Sequence, residues 1–180
     1  MPLPHYFTAD DVRALPDDGN RYETVHGELL VTPAPGGRHQ WALEQLRRIL
    51  DPYLLEHGVK EILAAPADIS FGPDTLLQPD LFVADLDRFR ETWRWSDITH
   101  LRLAVEILSP SSVRADRFTK RRLYQEQRVP AYWVVDIEKR AIEVWTPDAT
   151  FPVIERERLL WKHPLIEASC TIELPEVFSE

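Results

Sequence analysis

Apolar and polar positions alternate, cluster and break in an order that predicts most elements of the chain. Thr8, followed by Asp11 three residues later, has the form of a capping box and predicts a short helix that Pro16 ends. Residues 22–25 and 28–31, separated by His26-Gly27, read as the two strands of a hairpin. The loop Thr32-Pro33-Ala34-Pro35-Gly36-Gly37-Arg38 can continue neither strand and leads into a helix over 39–57. That helix carries Leu43, Leu46, Ile49, Leu50 and Tyr53 on one face and is closed by Gly58. Apolar runs of sheet length follow at 61–71, at 81–84 after Pro79-Asp80, and at 101–108. A helix over 116–127 precedes a second hairpin, 131–137 with 141–145, turning on Glu138-Lys139-Arg140. Short strands near 153–158 and 171–174 and a short segment at 175–178 end the chain. Helix, hairpin, helix, strands, helix, hairpin is the order of an α/β (α+β mixed) fold, a mixed β-sheet flanked by helices.

The 180 residues compare with roughly 150 in a typical domain, so a single domain over 1–180 is expected, with 1–21 as a helical N-terminal extension. With 44% hydrophobic and 28% charged residues, the composition is that of a globular chain. No apolar run approaches the roughly 18 residues of a membrane span, and the first residues lack the order of a signal peptide, so a cytoplasmic location and no membrane partner are expected. Cys170 is the sole cysteine, and the six histidines are too scattered for zinc spacing. The net charge of −9 gives no long-range attraction to polyanions, so any phosphate site must be local. Between Arg114 and Arg128 six basic residues face Asp116 and Glu126, a local +4 that is the best phosphate-facing patch in the chain.

Two carboxylates stand where a purely structural strand would not place them. Asp80 lies at the mouth of Leu81-Phe82-Val83-Ala84, and Glu106 interrupts Leu103-Ala104-Val105-Glu106-Ile107-Leu108. A buried, unpaired carboxylate is heavily penalised, so Glu106 needs a cation, a hydrogen-bond network or solvent, and a hard metal ion would satisfy it. The structural alternatives are a strand-entry turn for Asp80 and a water-facing edge strand for Glu106. Asp116, Lys120 and Tyr124 are spaced i, i+4, i+8 on one helix face that could point at these carboxylates. The alternative there is an exposed acid–base pair worth a few tenths of a kcal/mol. Arg fills almost every other basic position, yet 120 carries the compact charge that suits water or phosphate oxygen. Gly36-Gly37-Arg38-His39 puts a guanidinium and an imidazole at a helix N-terminus, where anions are favoured. No nucleophilic triad, nucleotide-binding glycine loop or HExxH motif occurs.

Pro79-Asp80, Glu106 in Ala104-Val105-Glu106-Ile107-Leu108-Ser109-Pro110-Ser111-Ser112, Asp116 with Lys120, and Tyr132-Trp133-Val134-Val135-Asp136 together resemble the bacterial Uma-two family. So do Gly27-Glu28-Leu29, Pro33-Ala34-Pro35 and Arg38-His39. That family consists of restriction-endonuclease-like proteins of the PD-(D/E)XK nuclease superfamily. The resemblance covers the chain from about Tyr22 to Leu174 and implies a restriction-endonuclease-like core with its site at the ends of the second and third core strands, here with an additional N-terminal hairpin. Carried over, Asp80 matches the Asp after Pro and Glu106 the (D/E) of the next strand. Leu108 stands where the superfamily has Lys, a gap the family shares, and Lys120 is the natural substitute from the following helix.

The implied function is a Mg²⁺-dependent (or Mn²⁺-dependent) endonuclease-like phosphodiesterase acting on nucleic acid, in the first instance DNA, through a metal-activated water. Asp80, Glu106 and the backbone carbonyl of Ile107 would hold the ion, an oxygen-seeking cation that keeps several waters. Lys120 would orient the water or neutralise developing charge. Glu28, Arg38, His39, Asp116, Arg117, Arg121 and Tyr124 are expected to line the pocket or contact substrate, and a homodimer would present two sites symmetrically. The other class the sequence allows is a non-catalytic binding or interaction module that keeps the nuclease fold, favoured by the −9 charge and Leu108.

Overall fold

The structure is a computed structural model that describes residues 5–179; the outermost ends of the expected domain, 1–4 and 180, lie outside them. Thr8 caps α1 (Ala9–Arg13), its hydroxyl accepting from the Asp11 N–H while the Asp11 carboxylate accepts from the Thr8 N–H, the reciprocal box read from the sequence. Strands β1 (Asn20–Val25) and β2 (Glu28–Pro33) pair antiparallel across His26-Gly27. Both turn residues have positive φ, 49° and 81°, which gives the hairpin a turn whose twist matches its strands. Helix α2 (Gly37–Glu56) buries Ala42, Leu46, Leu50, Tyr53 and Leu54. It ends in a glycine cap: the Gly58 N–H donates to Leu55 C=O and the Val59 N–H to Leu54 C=O.

The run 61–71, read as one strand, is two. β3 (Ile62–Ala64) joins the large sheet and β4 (Ile69–Gly72) the small one. Pro66, which has no N–H to give a ladder, lies in the break. After β4 come β5 (Thr75–Leu77), β6 (Leu81–Ala84), the short helix α3 (Asp87–Thr92) and β7 (Leu101–Ile107); β5 and α3 have no counterpart in the sequence reading. Helix α4 opens as a π-helical stretch, Ala115–Lys120, and continues α-helical over Arg121–Glu126. The hairpin of β8 (Tyr132–Asp136) and β9 (Ala141–Trp145) follows as predicted, then β10 (Val153–Glu155), β11 (Arg158–Trp161), β12 (Cys170–Glu173) and α5 (Leu174–Val177).

The large sheet has the order β10-β9-β8-β7-β6-β3, parallel only between β7 and β8. Both of its faces are covered, so its central strands are apolar on both sides. Leu81, Val83, Leu103, Val105, Trp133 and Val135 pack with α2, while Phe82, Ala84, Ala104, Tyr132 and Val134 pack with Leu123 and Tyr124 of α4 and with Ile69 and Leu77 of the small sheet β2-β1-β5-β4. The two-residue period of a strand assigns Glu106 to the face of Ala104, and Asp80, just ahead of β6, to the face of Phe82. Both carboxylates therefore enter the layer between the two sheets, where α4 closes one side. Among the described residues no helix is long and apolar enough to cross a membrane.

Candidate active site

Asp80 and Glu106 are 2% and 1% exposed, and each is held by partners from several elements. Asp80 Oδ1 accepts from Arg21 Nη1 at 2.7 Å; its Oδ2 accepts from the Ile107 N–H at 2.8 Å and lies 2.9 Å from His39 Nε2. Burial alone would raise the Asp80 pKa, but His39, Arg21 and the Ile107 N–H outweigh it and bring it down to about 2. An ionised carboxylate only accepts, so His39 carries a hydrogen on Nε2, and in the neutral ring Nδ1 is left as an acceptor. That Nδ1 is buried and has no hydrogen-bond partner among the described residues.

Glu106 Oε1 accepts from Lys120 Nζ at 3.2 Å and from the Tyr124 hydroxyl at 3.0 Å. Lys120 is itself buried and also contacts Glu23 Oε2 at 2.7 Å and Asp116 Oδ1 at 3.3 Å. Burial opposes the ammonium charge, yet these three carboxylates overcome it and push the Lys120 pKa well above its ordinary value. Burial drives Glu106 well up, with Asp116, Asp80 and Glu23 adding to the rise and Lys120 resisting it; Asp116 is raised for the same leading reason. Four carboxylates thus share one buried layer with Lys120 and Arg21, leaving two negative charges unmatched when His39 is neutral. The cleft lined by Asp80, Glu106 and Asp116 with Lys120 and Arg21 is small, about 30 Å³, room for about one water or ion.

Of the residues singled out in the sequence, Asp80, Glu106, Ile107, His39, Asp116, Lys120 and Tyr124 come together here; all but Tyr124 line the cleft itself, and Tyr124 reaches it through Glu106. Glu28 does not. It is exposed at the start of β2 and lines a separate hollow with His26, Phe118 and Arg122. Arg121 lines that same hollow, and its guanidinium lies 4.7 Å from the Trp145 ring centroid. Arg38 is mostly exposed on the outer rim, 3.5 Å from Glu138. Arg117 is held at 2.7 Å by both Asp136 and Glu143.

The +4 patch of the sequence does not form. Arg117, Arg122 and Arg128 are paired with Asp136, Glu126 and Asp148, and Lys120 is inside, so carboxylates from β8, β9 and the loop after β9 neutralise much of the charge. Two residues that the sequence reading missed are central. Arg21 and Glu23 alternate with Val25 on the inner face of β1, which takes Asn20 and Arg21 from the helical extension expected over 1–21. Their one signal is that period of two, which in a charged strand reads equally well as a solvent face.

A family model described as "Putative restriction endonuclease" (Uma2) matches residues 9–173. The chain belongs to this family. The fold of this chain is also that of a crystal structure of a "putative nuclease" from Anabaena variabilis, which is 18% identical in sequence and superposes with a TM-score of 0.73 over 96% of this chain and 98% of that one. At that identity the likeness shows the fold, a restriction-endonuclease-like one. No curated protein matches the chain. In this Uma2 member the two carboxylates carried over by motif are those that meet in the cleft, at the end of β6 nearest Asp80 and at the end of β7.

Proposed function

We propose that this chain is a metal-dependent nuclease that hydrolyses phosphodiester bonds, in the first instance of DNA, in the cytoplasm. The observation that carries the reading is the crowding of buried carboxylates at the ends of β6 and β7, whose burial and negative charge raise the affinity of Glu106 and Asp116 for a proton and would favour a divalent cation in the same place. The donor set suits a hard cation: Asp80 and Glu106 bring carboxylate oxygens to one small cleft that Ile107 also lines, and the Ile107 backbone carbonyl would be the third oxygen ligand. Among the described residues no three His, Cys, Asp or Glu side chains are grouped to hold an ion, so Mg²⁺ or Mn²⁺ would keep much of its water, as Mg²⁺ commonly does. Such an ion, when bound, supplies Lewis-acid charge to a phosphate and acidity to a water.

The chain's own residues divide the remaining work. Lys120 keeps Glu106 oriented and holds positive charge near the place where phosphate oxygens become more negative. Tyr124, whose pKa burial and Glu106 raise, stays protonated and donates its hydroxyl hydrogen to Glu106. His39 Nδ1 is the acceptor able to take a proton as water attacks phosphorus, with the bond to the leaving sugar oxygen breaking and that oxygen taking a proton from solvent. A two-fold pair of chains, which presents two sites symmetrically, completes the proposal; light scattering at micromolar concentration giving the monomer mass would remove that part.

A second reading, nucleic-acid binding without turnover, is favoured by Arg21 lying against Asp80 and by the small cleft. Titration calorimetry with Mn²⁺ separates the two. The wild type should bind one ion and cleave single-stranded, double-stranded or branched DNA with Mg²⁺ or Mn²⁺, and Asp80→Asn with Glu106→Gln should lose both properties with the fold retained. Unchanged Mn²⁺ affinity in that double variant would overturn the metal site.

A further inference from the structure

Two adjoining hollows lead away from the cleft past the N-terminus of α2. The nearer, about 410 Å³, has His39, Arg117 and Lys139 in its wall; the farther, about 600 Å³, has Trp41 and Arg140. Arg38, Ile137 and Glu138 line both, so the two form one trough that begins at the histidine holding Asp80. Its wall carries four cationic side chains against the carboxylates of Asp136 and Glu138, in a chain whose net charge is −9. Volumes of this order take small organic ligands, whereas the cleft itself has room for little more than one ion or water.

Two side chains make the far end of the trough unusual. Trp41 is 45% exposed, and its indole is fixed by the Nε1 hydrogen donated to the Ser179 carbonyl at 2.6 Å with the Arg48 guanidinium 6.0 Å from its ring centroid, so aromatic surface is presented to solvent at little cost in freedom. Arg140 ends the β8–β9 turn with φ 48°, a left-handed conformation that glycine or asparagine takes more readily. It is exposed, and it makes no ion pair among the described residues. Arg128 shares this conformation but is paired with Asp148, so of the two left-handed arginines Arg140 is the one whose guanidinium is open to a ligand.

We propose that this trough is the path of a single strand of nucleic acid, with a base stacked on Trp41, phosphates held by Arg140 and Arg38, and the next phosphate passing His39 to the Asp80–Glu106 cleft. The inference rests on the nuclease reading and adds the form of the substrate. A duplex keeps its base faces stacked inside and offers none to Trp41. Carboxylates 1–2% exposed are reached by a flexible strand and not by the wall of a helix. Glu138, the acid in the middle of the trough, is 84% exposed at its side chain and can turn outward.

The test is anisotropy of a labelled oligothymidylate of about twelve nucleotides, and of a hairpin duplex, titrated with full-length protein in EDTA so that cleavage plays no part. The single strand should bind more tightly than the duplex. Trp41→Ala should weaken it about tenfold, the order set by losing one base–aromatic stack, while Trp41→Phe keeps most of the affinity. Arg140→Ala should lower the slope of log K against log salt by about 0.7, one phosphate contact on a single strand. Melting curves report whether each variant folds, and if Trp41→Ala does not, the Trp41→Phe and Arg140→Ala pair decides. Tighter binding of the duplex, or affinities and salt slopes in the variants equal to the wild type's, would overturn the trough while leaving the nuclease reading standing. A wild type that binds neither probe would overturn the trough, and one that also cleaves no DNA with Mg²⁺ or Mn²⁺ would overturn both.

Discussion

Removing the Lys120 ammonium tests whether the buried cluster is organised as its distances indicate. Three carboxylates lie 2.7, 3.2 and 3.3 Å from Nζ. At an effective dielectric of about 20 each such pair is worth about 5 to 6 kcal/mol of gross attraction, most of it offset by desolvation of the groups. Lys120→Met, of similar length and without charge, leaves Glu23, Glu106 and Asp116 buried with nothing opposite them, and breaking such an arrangement costs about 3 to 5 kcal/mol. With a urea slope of about 2 kcal/mol/M, the unfolding midpoint should fall by about 2 M.

The sign of the pH dependence follows from the direction of the shifts. In the variant the folded-state pKa values of Glu106 and Asp116 rise further above their ordinary values of 4.5 and 3.8. Groups raised in this way contribute stability below the unfolded pKa and lose it as pH rises through the folded one. The destabilisation should therefore be smallest near pH 4 to 5 and largest near pH 8, and Glu23→Gln in the same chain should restore part of it. Urea titrations at the two pH values, followed by circular dichroism, measure this. A loss below about 1 kcal/mol that does not change with pH is what an exposed Asp116–Lys120 pair gives, and it would refute the buried cluster.

Asp80, lowered to about 2 from 3.8, should contribute about 2 kcal/mol at neutral pH, lost as pH falls from about 4 to about 2; Asp80→Asn should flatten that part of an acid titration. Mn²⁺ affinity measured by calorimetry should rise with pH up to the raised Glu106 pKa, by up to about tenfold per unit, because the cation displaces the proton on Glu106; an affinity independent of buffer pH would contradict this. Arg21→Ala should bind Mn²⁺ more tightly than the wild type, since it removes the cation that lies 2.7 Å from Asp80 Oδ1; weaker binding would make Arg21 a support of the site. His39→Ala should lower the cleavage rate about a hundredfold or more with Mn²⁺ affinity changed far less, a split that a purely structural histidine would not give.

What could be read from the sequence had a local cause. The capping box at Thr8, the His26-Gly27 turn and Gly58 each answer to backbone chemistry within five residues, and all three stand where they were expected. Asp80 and Glu106 were legible because a carboxylate in or beside an apolar run contradicts its neighbours, and such contradictions mark sites. Arg21 and Glu23 offered no contradiction. They sit in a strand whose charges look solvated, and only the packing of one sheet over the other buries Glu23 completely. The same non-local packing explains the phosphate patch: Asp136, Glu143 and Asp148, distant in sequence, neutralise arginines that look unopposed along the helix.

The gap at Leu108 is filled by geometry that the sequence spacing only partly conveys. In a strand, a lysine two residues beyond Glu106 would share its face; Leu108 leaves that place apolar, and the ammonium arrives instead from α4. The first part of α4 is π-helical, a wider turn with i to i+5 bonds that is often found at functional sites. Asp116 and Lys120 both lie in that stretch and Tyr124 in the α-helical part beyond it, yet all three are buried and two of them bond Glu106. A helix can deliver a buried cation where a strand does not, provided that the carboxylates it meets repay the desolvation. Here Glu23, Glu106 and Asp116 do so, which ties the charge state of the cleft to β1, β7 and α4 at once.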